Sequence, residues 1–384
     1  MKESPHIRYF DHAATSWPKP PVVSEAMVRT MVEAGGNPGR SAHALALESA
    51  RAVEHARAAV ASLLGIADTR DAIFVPGCTE AINLVLKGTL KHGDRVVVSS
   101  VEHNAVVRPL AVLESRGVKV VRVPADAAGR IDADEVEHAV MAAPTRMVVC
   151  QHASNVTGTI QHIGDMIDIA HDHGAVILVD GAQAAGHLPL DLTALGADAY
   201  AVPGHKGLLG PQGVGVLHLA PGFEPKEFVQ GGSGGRSEEV AQPDARPDRY
   251  EAGTGNGPGI AGLGAAAEYL ATNGDEIRAR EQRLVRRLHE GLLAISGVTV
   301  LGPPPGDERA PVLSIVHERL APDEIAFALD RRFGIAVRAG LHCSPWTHEA
   351  VGTLETGAVR FGLGWNLTDE DVDAALQAMT DICR

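Results

Sequence analysis

Short apolar runs alternate with more polar stretches along most of this chain. The runs at 72–75, 95–98, 118–123, 147–150, 175–179, 199–202 and 214–217 are rich in valine, isoleucine, leucine and alanine. Strands that are apolar nearly throughout are buried on both faces, which is the habit of a parallel sheet covered by helices. The stretches beginning at Ala81 and spanning 132–142 and 164–174 read as those helices. The alternation predicts an α/β fold with a mostly parallel sheet.

The pattern is different at the two ends of this block. Residues 1–21 predict an extended arm, because Pro18, Pro20 and Pro21 exclude helix and ladder pairing. Helices are expected over 22–34 and 43–64. Residues 221–259 are rich in Gly, Pro, Ser and charge and predict little regular structure. A loop that long in a compact protein is usually functional. A helical stretch follows over 260–294, with a break expected near Asn273-Gly274. Strands at 298–300, 312–316, 335–338 and 358–363, with helices at 322–333 and 368–382, predict a smaller α+β part.

At 384 residues the chain is long for one domain and suits two. The net charge of −14 argues against a nucleic-acid or anionic-membrane partner, since the phosphate interaction would be repulsive overall. No apolar run approaches a membrane span, and the first six residues carry no signal-peptide core. The expectation is a cytoplasmic protein. Cys78, Cys150, Cys343 and Cys383 are scattered and form no C-x-x-C pair, so free thiols are expected.

Candidate chemistry collects just after the predicted strands. His103, Asn155, Asp180 and Lys206 each follow a strand, and ligands of open α/β sheets gather at carboxyl strand ends. Lys206 lies in Pro203-Gly204-His205-Lys206-Gly207, where glycines admit a close backbone or a flat ligand. A lysine there can lose water and act as an amine nucleophile. Paired with a carboxylate such as Asp180, it suits pyridoxal phosphate, whose ring nitrogen needs a proton if the ring is to accept electrons. Gly77-Cys78-Thr79 opens a helix after a strand, a natural anion site, with His205 beside the lysine as a second anchor. Taken alone, Thr79 reads equally well as a plain N-cap.

His103 could stack on a flat cofactor or shuttle protons, and Asn155 and Gln183 could donate to a ring oxygen. Cys343 follows His342 between Arg338 and Arg360, and cationic surroundings favour the nucleophilic form of a cysteine in general. Either arginine suits a substrate carboxylate. His171-x-His173 lacks further ligands, so no metal is expected. Gly257-x-Gly259-x-x-Gly262 follows no strand and is not a dinucleotide fingerprint.

At these residues the chain resembles the cysteine desulfurases of the class V aminotransferase group, which are fold-type-I pyridoxal-phosphate enzymes. The motifs are Asp11-His12-Ala13-Ala14-Thr15, Asn37-Pro38-Gly39-Arg40, Gly77-Cys78-Thr79-Glu80-Ala81-Ile82-Asn83, Glu102-His103-Asn104, Asn155-Val156-Thr157-Gly158, Asp180-Gly181-Ala182-Gln183, Gly204-His205-Lys206, Glu251-Ala252-Gly253-Thr254, Arg338-Ala339-Gly340-Leu341-His342-Cys343 and Val359-Arg360. The short interval from Arg338 to Arg360 resembles the short-loop, sulfur-mobilising subgroup.

The resemblance implies a large cofactor-binding domain over 17–262 and a small domain of 263–384 with the arm 1–16. It implies that Lys206 is the Schiff-base lysine, that Asp180 pairs with the ring nitrogen, and that His103 stacks on the ring. Asn155 and Gln183 would bind the ring side, and Cys78, Thr79 and His205 the phosphate, helped by Thr254 from the other subunit of a homodimer. Arg360 and Arg338, with Ala13 and Asn155, would hold L-cysteine. Cys343 would take its sulfur as a persulfide, release L-alanine and pass the sulfur to an acceptor protein, for instance in iron–sulfur cluster assembly.

The alternatives are a selenocysteine lyase, a C–S lyase, an epimerase or aminotransferase of a biosynthetic pathway, or a cofactor-binding protein without turnover. Three residues depart from the family pattern: Pro203 for a hydroxyl residue, Cys78 for threonine and His12 for asparagine. The first two bear on phosphate holding and the third on substrate placement.

Overall fold

A computed structural model describes residues 7–38, 43–233 and 240–384. Gly39, Arg40, Gly234 and Gly235, and the first six residues, lie outside them. The chain begins with β1 (Arg8–Tyr9), α1 (Pro21–Glu33) and α2 (Ala44–Leu64). It continues through β2 (Ala72–Val75), α3 (Cys78–Thr89), β3 (Arg95–Ser99), α4 (Asn104–Glu114), β4 (Lys119–Val123) and α5 (Ala133–Met141). Next come β5 (Met147–Gln151), α6 (Ile163–Asp172), β6 (Val176–Asp180), α7 (Leu192–Leu195), β7 (Ala199–Pro203) and β8 (Gly215–Leu219). The remainder is α8 (Gly257–Leu293), β9 (Val298–Leu301), β10 (Val312–His317), α9 (Pro322–Phe333), β11 (Ile335–Ala336), β12 (Arg338–Gly340), α10 (Pro345–Ala350), β13 (Ala358–Gly362) and α11 (Asp369–Cys383).

The larger sheet has the order β2-β8-β7-β6-β5-β3-β4. Its neighbours from β7 to β4 run parallel, while β8 is antiparallel to both β7 and β2. Val96, Val97 and Val98 of β3 are almost fully buried, as a strand covered on both faces requires. Each such side chain contributes about 1.5–3 kcal/mol by leaving water. The chain adds β4 on one side of β3 and β5 on the other, so the order reverses there. A crevice opens at that reversal, at the carboxyl ends of the strands.

A four-stranded antiparallel sheet, β12-β13-β10-β9, forms the smaller α+β part with α9 and α11 around its own core. α11 starts as its sequence foretells: the Thr368 hydroxyl accepts from the Asp371 amide at 3.3 Å. Among the described residues no helix or strand falls between β8 and α8, in line with the composition there.

Three expectations need correction. α8 is unbroken at Asn273-Gly274. Asn273 donates to the Tyr269 carbonyl one turn back at 2.8 Å, and the helix packs on Met27 and Ala56 at Gly262 and Gly264 and on Leu376 at Gly291. Those contacts outweigh the roughly 1 kcal/mol that an interior glycine costs. The expected strand over 335–338 is two strands: β11 pairs with β1 of the arm and β12 with β13. α3 begins at Cys78 with Gly77 as N-cap, so Thr79 sits inside the first turn instead of capping it.

Candidate active site

Four polar residues stand at or just beyond the carboxyl ends of neighbouring parallel strands: His103 after β3, Asn155 after β5, Asp180 ending β6 and Lys206 after β7. All four line one cleft of about 720 Å³. The adjacent glycines are sterically required. A β-carbon at Gly181 would lie 1.9 Å from the Tyr200 ring, and one at Gly207 would lie 2.3 Å from the Ala185 carbonyl oxygen. The chain leaving Asp180 and Lys206 can therefore turn only where there is no side chain.

Burial pushes the Lys206 amine below its ordinary pKa; Asp180 and Cys78 partly offset this, while Arg360 and Arg338 add to it. Among the described residues the amine makes no hydrogen bond. Asp180 Oδ1 accepts from the Ala182 amide at 3.0 Å and from the Cys78 thiol at 3.4 Å. Burial and the neighbouring Asp180 push the Cys78 thiol well up, so it stays protonated and able to donate. His103 accepts the Ala105 amide on Nδ1 at 3.0 Å, which leaves the ring proton of neutral His103 on Nε2. Its pKa falls to about 4, through burial first and Lys206 second.

Elsewhere the cleft has polar groups without partners. α3 starts without a side-chain cap; the Glu80 and Ala81 amides donate to the Gly77 carbonyl, and among the described residues the Cys78 and Thr79 amides make no hydrogen bond. His205, which also lines the cleft, has an unpartnered Nδ1. Burial and the cations Lys206 and Lys19 lower its pKa to about 4. Gln183 donates to the Ala13 carbonyl at 2.9 Å and leaves Oε1 buried without a partner.

Arg338 and Arg360 also line the cleft. Arg360 is 1% exposed, donates to Asp11 at 2.7 Å and to the Asn155 carbonyl at 3.2 Å, and keeps Nε unpartnered. Cys343 is exposed at the rim, 3.6 Å from Arg338 Nη2, and is not part of the cleft wall. It and His342 both hold positive φ, 58° and 52°. Each such residue costs about 1–2 kcal/mol, so surrounding contacts must impose the shape. They are visible: Asn155 Nδ2 donates to the His342 carbonyl at 2.8 Å, Ser344 donates to Asn155 Oδ1 at 2.7 Å, and the Asn104 amide donates to the Cys343 carbonyl at 2.8 Å. Thr347 adds a bond to the Val101 carbonyl at 2.7 Å.

The structure thus brings Ala13, Cys78, Thr79, His103, Asn155, Asp180, Gln183, His205, Lys206, Arg338 and Arg360 to one cleft. Thr254 is elsewhere in its own chain, 3.4 Å from Asn37. Asn155, expected at the ring, has its amide engaged by the Cys343 loop. His12 is buried against Gly364 and is not among the residues of the cleft wall, although its neighbour Ala13 is. Sequence reasoning missed Asp11 as partner of Arg360, and Ser344 and Thr347 as anchors. The run Ser344-Pro345 was the available signal, since Ser before Pro commonly opens a helix.

Residues 8–375 match the family described as aminotransferase class-V. A probable cysteine desulfurase from Methanothermobacter thermautotrophicus is 35% identical, over 97% of this chain and 94% of its own length. The chain belongs to the cysteine desulfurase family. A probable cysteine desulfurase from Halobacterium salinarum is 37% identical, over 97% of this chain and 91% of its own. The apo structure of a cysteine desulfurase from Thermococcus onnurineus NA1 superposes with a TM-score of 0.91 at 31% identity, covering 98% of this chain and 94% of that one. The all-over match explains why both sheets, and not the cleft alone, keep the family architecture.

Proposed function

We propose that this chain is a pyridoxal-phosphate-dependent cysteine desulfurase that converts L-cysteine to L-alanine and carries the sulfur as a persulfide on Cys343. One observation carries the reading: a desolvated lysine beside a buried carboxylate shares a cleft with a strained, latched loop that presents a cysteine.

The residues fit the cofactor. Asp180 has one oxygen occupied and the other available for a ring nitrogen, the orphan Gln183 Oε1 suits a ring hydroxyl, and the bare start of α3 with His205 suits a phosphate. When bound, pyridoxal phosphate supplies an electron sink for the pair released at Cα. Lys206 would bond to it covalently and afterwards carry the Cα proton, since burial lowers its pKa and so eases loss of its proton. His103 is uncharged at neutral pH and offers Nε2–H into the cleft. Arg360 and Arg338 hold the substrate carboxylate. Cys343 attacks the substrate sulfur: the S–S bond forms, the C–S bond breaks, and the electron pair left on carbon takes a proton to give alanine.

A homodimer would complete the phosphate site, with Thr254 reaching the partner's cleft; the exposed Val28, Met31 and Val32 on α1 suit a covered face. The domain division proposed is 17–262 against 1–16 with 263–384; α8 crosses it without interruption. No helix of the described residues is long and apolar enough to cross a membrane. A cytoplasmic location and a protein sulfur acceptor, as in iron–sulfur cluster assembly, complete the proposal.

The test is turnover of L-cysteine with a reductant. Wild type should release alanine and sulfide, and Cys343→Ala should lose at least about 10²-fold in rate. An unchanged rate in Cys343→Ala would falsify the persulfide role.

A further inference from the structure

The carbonyl oxygen of His205, which belongs to the peptide bond entering Lys206, accepts from an unusual number of donors. The Ser16 amide lies at 2.9 Å and the Lys19 ammonium at 2.9 Å. The Thr15 hydroxyl is 3.1 Å away and the Ser16 hydroxyl 3.2 Å. Lys19 also donates to Ser16 Oγ at 2.6 Å, so the hydroxyl is itself oriented by the cation. All four donors come from one short stretch of the arm, and the acceptor is some 190 residues further along the chain.

A carbonyl oxygen has two lone pairs, and two ordinary donors satisfy it. A converging ammonium makes the contact charge-assisted and stronger than a neutral bond. Pro18 and Pro20 flank Lys19 and stiffen the backbone that presents it. The rest of the arm is fastened as well. Trp365 donates to the Pro18 carbonyl at 2.9 Å, and the His12 amide donates to the Gly362 carbonyl at 3.2 Å. The donors are therefore fixed before they meet His205.

We propose that Lys19, with Thr15 and Ser16, is a positioning clamp that sets the main chain at Lys206 and so aims its amine into the cleft. The clamp rests on the reading of Lys206 as the Schiff-base lysine for its effect on turnover, but not for its effect on the backbone. Lys19 is not itself part of the cleft wall and touches no reacting atom; its contact there is the His205 carbonyl, so it acts through the His205–Lys206 peptide. Burial lowers its pKa to about 8. The titratable groups facing it are His12 and His205, both held neutral by burial. Lys19 thus keeps its charge at neutral pH and loses it as pH rises through about 8.

The test compares Lys19→Met, which keeps the length and removes the donor, with Lys19→Arg, which keeps a permanent charge. Hydrogen exchange by mass spectrometry on the full chain as purified reads the backbone directly. Exchange in Lys19→Met should rise about tenfold or more in peptides covering 204–210 and stay as in wild type in α6 and α11. With L-cysteine, kcat should fall about 10²-fold with KM within about threefold, as misaiming of one group predicts. Lys19→Arg should recover most of the loss and carry activity to higher pH than wild type.

Unchanged exchange over 204–210 in Lys19→Met overturns the clamp, whatever the activity. A rise spread evenly over the chain overturns it too, because the role is then global stability. Should Lys19→Met fold poorly, Ser16→Ala paired with Thr15→Val removes the hydroxyl donors and must raise exchange over the same peptide. If local exchange rises but neither enzyme turns over cysteine, the clamp stands and the desulfurase reading fails.

Discussion

The two residues proposed as nucleophiles are held in opposite ways. Lys206 follows a fully buried strand, in a cleft that strips water from its amine. Cys343 sits at the rim, exposed, on two consecutive residues of positive φ that hydrogen bonds from Asn104, Asn155 and Ser344 keep in place. The difference follows from what each would do under the proposed function. An amine is nucleophilic only when neutral, and desolvation lowers its pKa without any mobile part. A thiol that hands sulfur to another protein has to remain reachable, so its precision must come from bonds to the loop and not from burial.

The largest effect tests the lysine side alone. Lys206→Ala should lose about 10⁴-fold or more in cysteine turnover and should not be fixed to cofactor by borohydride. Alkylation of Cys343 by iodoacetamide should stay at the wild-type rate, because the rim loop takes no bond from Lys206. A changed alkylation rate would mean that the two sites are not separable.

Asn155→Ala should act on the thiol side. Both of its loop bonds disappear, and kcat should fall about 10-fold to 10²-fold while the protein remains yellow. If the variant instead purifies colourless, Asn155 belongs to the lysine side, as the family resemblance first implied.

The smallest effect concerns the layer beneath both. Glu102 is fully buried, bonded to the Ser99 hydroxyl and to the Gln151 amide at 2.8 Å, with Oε2 unpartnered. Burial raises its pKa to about 8, against the favourable bonds from Ser99 and Gln151. The folded state keeps this proton where the unfolded chain, with an ordinary carboxyl, releases it. Stability is therefore fully present below the unfolded value and is lost as pH rises from about 4 to about 8, by at most about 1.4 kcal/mol per unit. Glu102→Gln should remove that slope in urea titrations at pH 5 and pH 8. An identical slope in both proteins would show that Glu102 ionises freely.

Much of this was legible from residues alone. The apolar runs named the large sheet's strands, and the polar residues after four of them named the cleft, because strand ends in a parallel sheet face one side. The Asp180 and Lys206 strands are neighbours, as the chemistry requires. What escaped were contacts between residues far apart in sequence. Nothing local to Asp11 foretells Arg360, and nothing in Lys19 foretells the carbonyl of His205. The split of 335–338 into two strands was hidden for the same reason: its residues choose partners from the arm and from β13, and a pattern of apolar positions does not carry that choice.

The arm has one more consequence, in time instead of space. Its partners are the His205 carbonyl, β11 and Gly362, so a ribosome must translate almost the whole chain before the first twenty residues can find their places. The large sheet can pair earlier, once β8 has been made, since all its strands lie between residues 72 and 219. Lys206 should thus sit in a cleft that lacks Arg338 and Arg360 until synthesis is nearly done, and the nascent protein would stay catalytically silent through most of its own making.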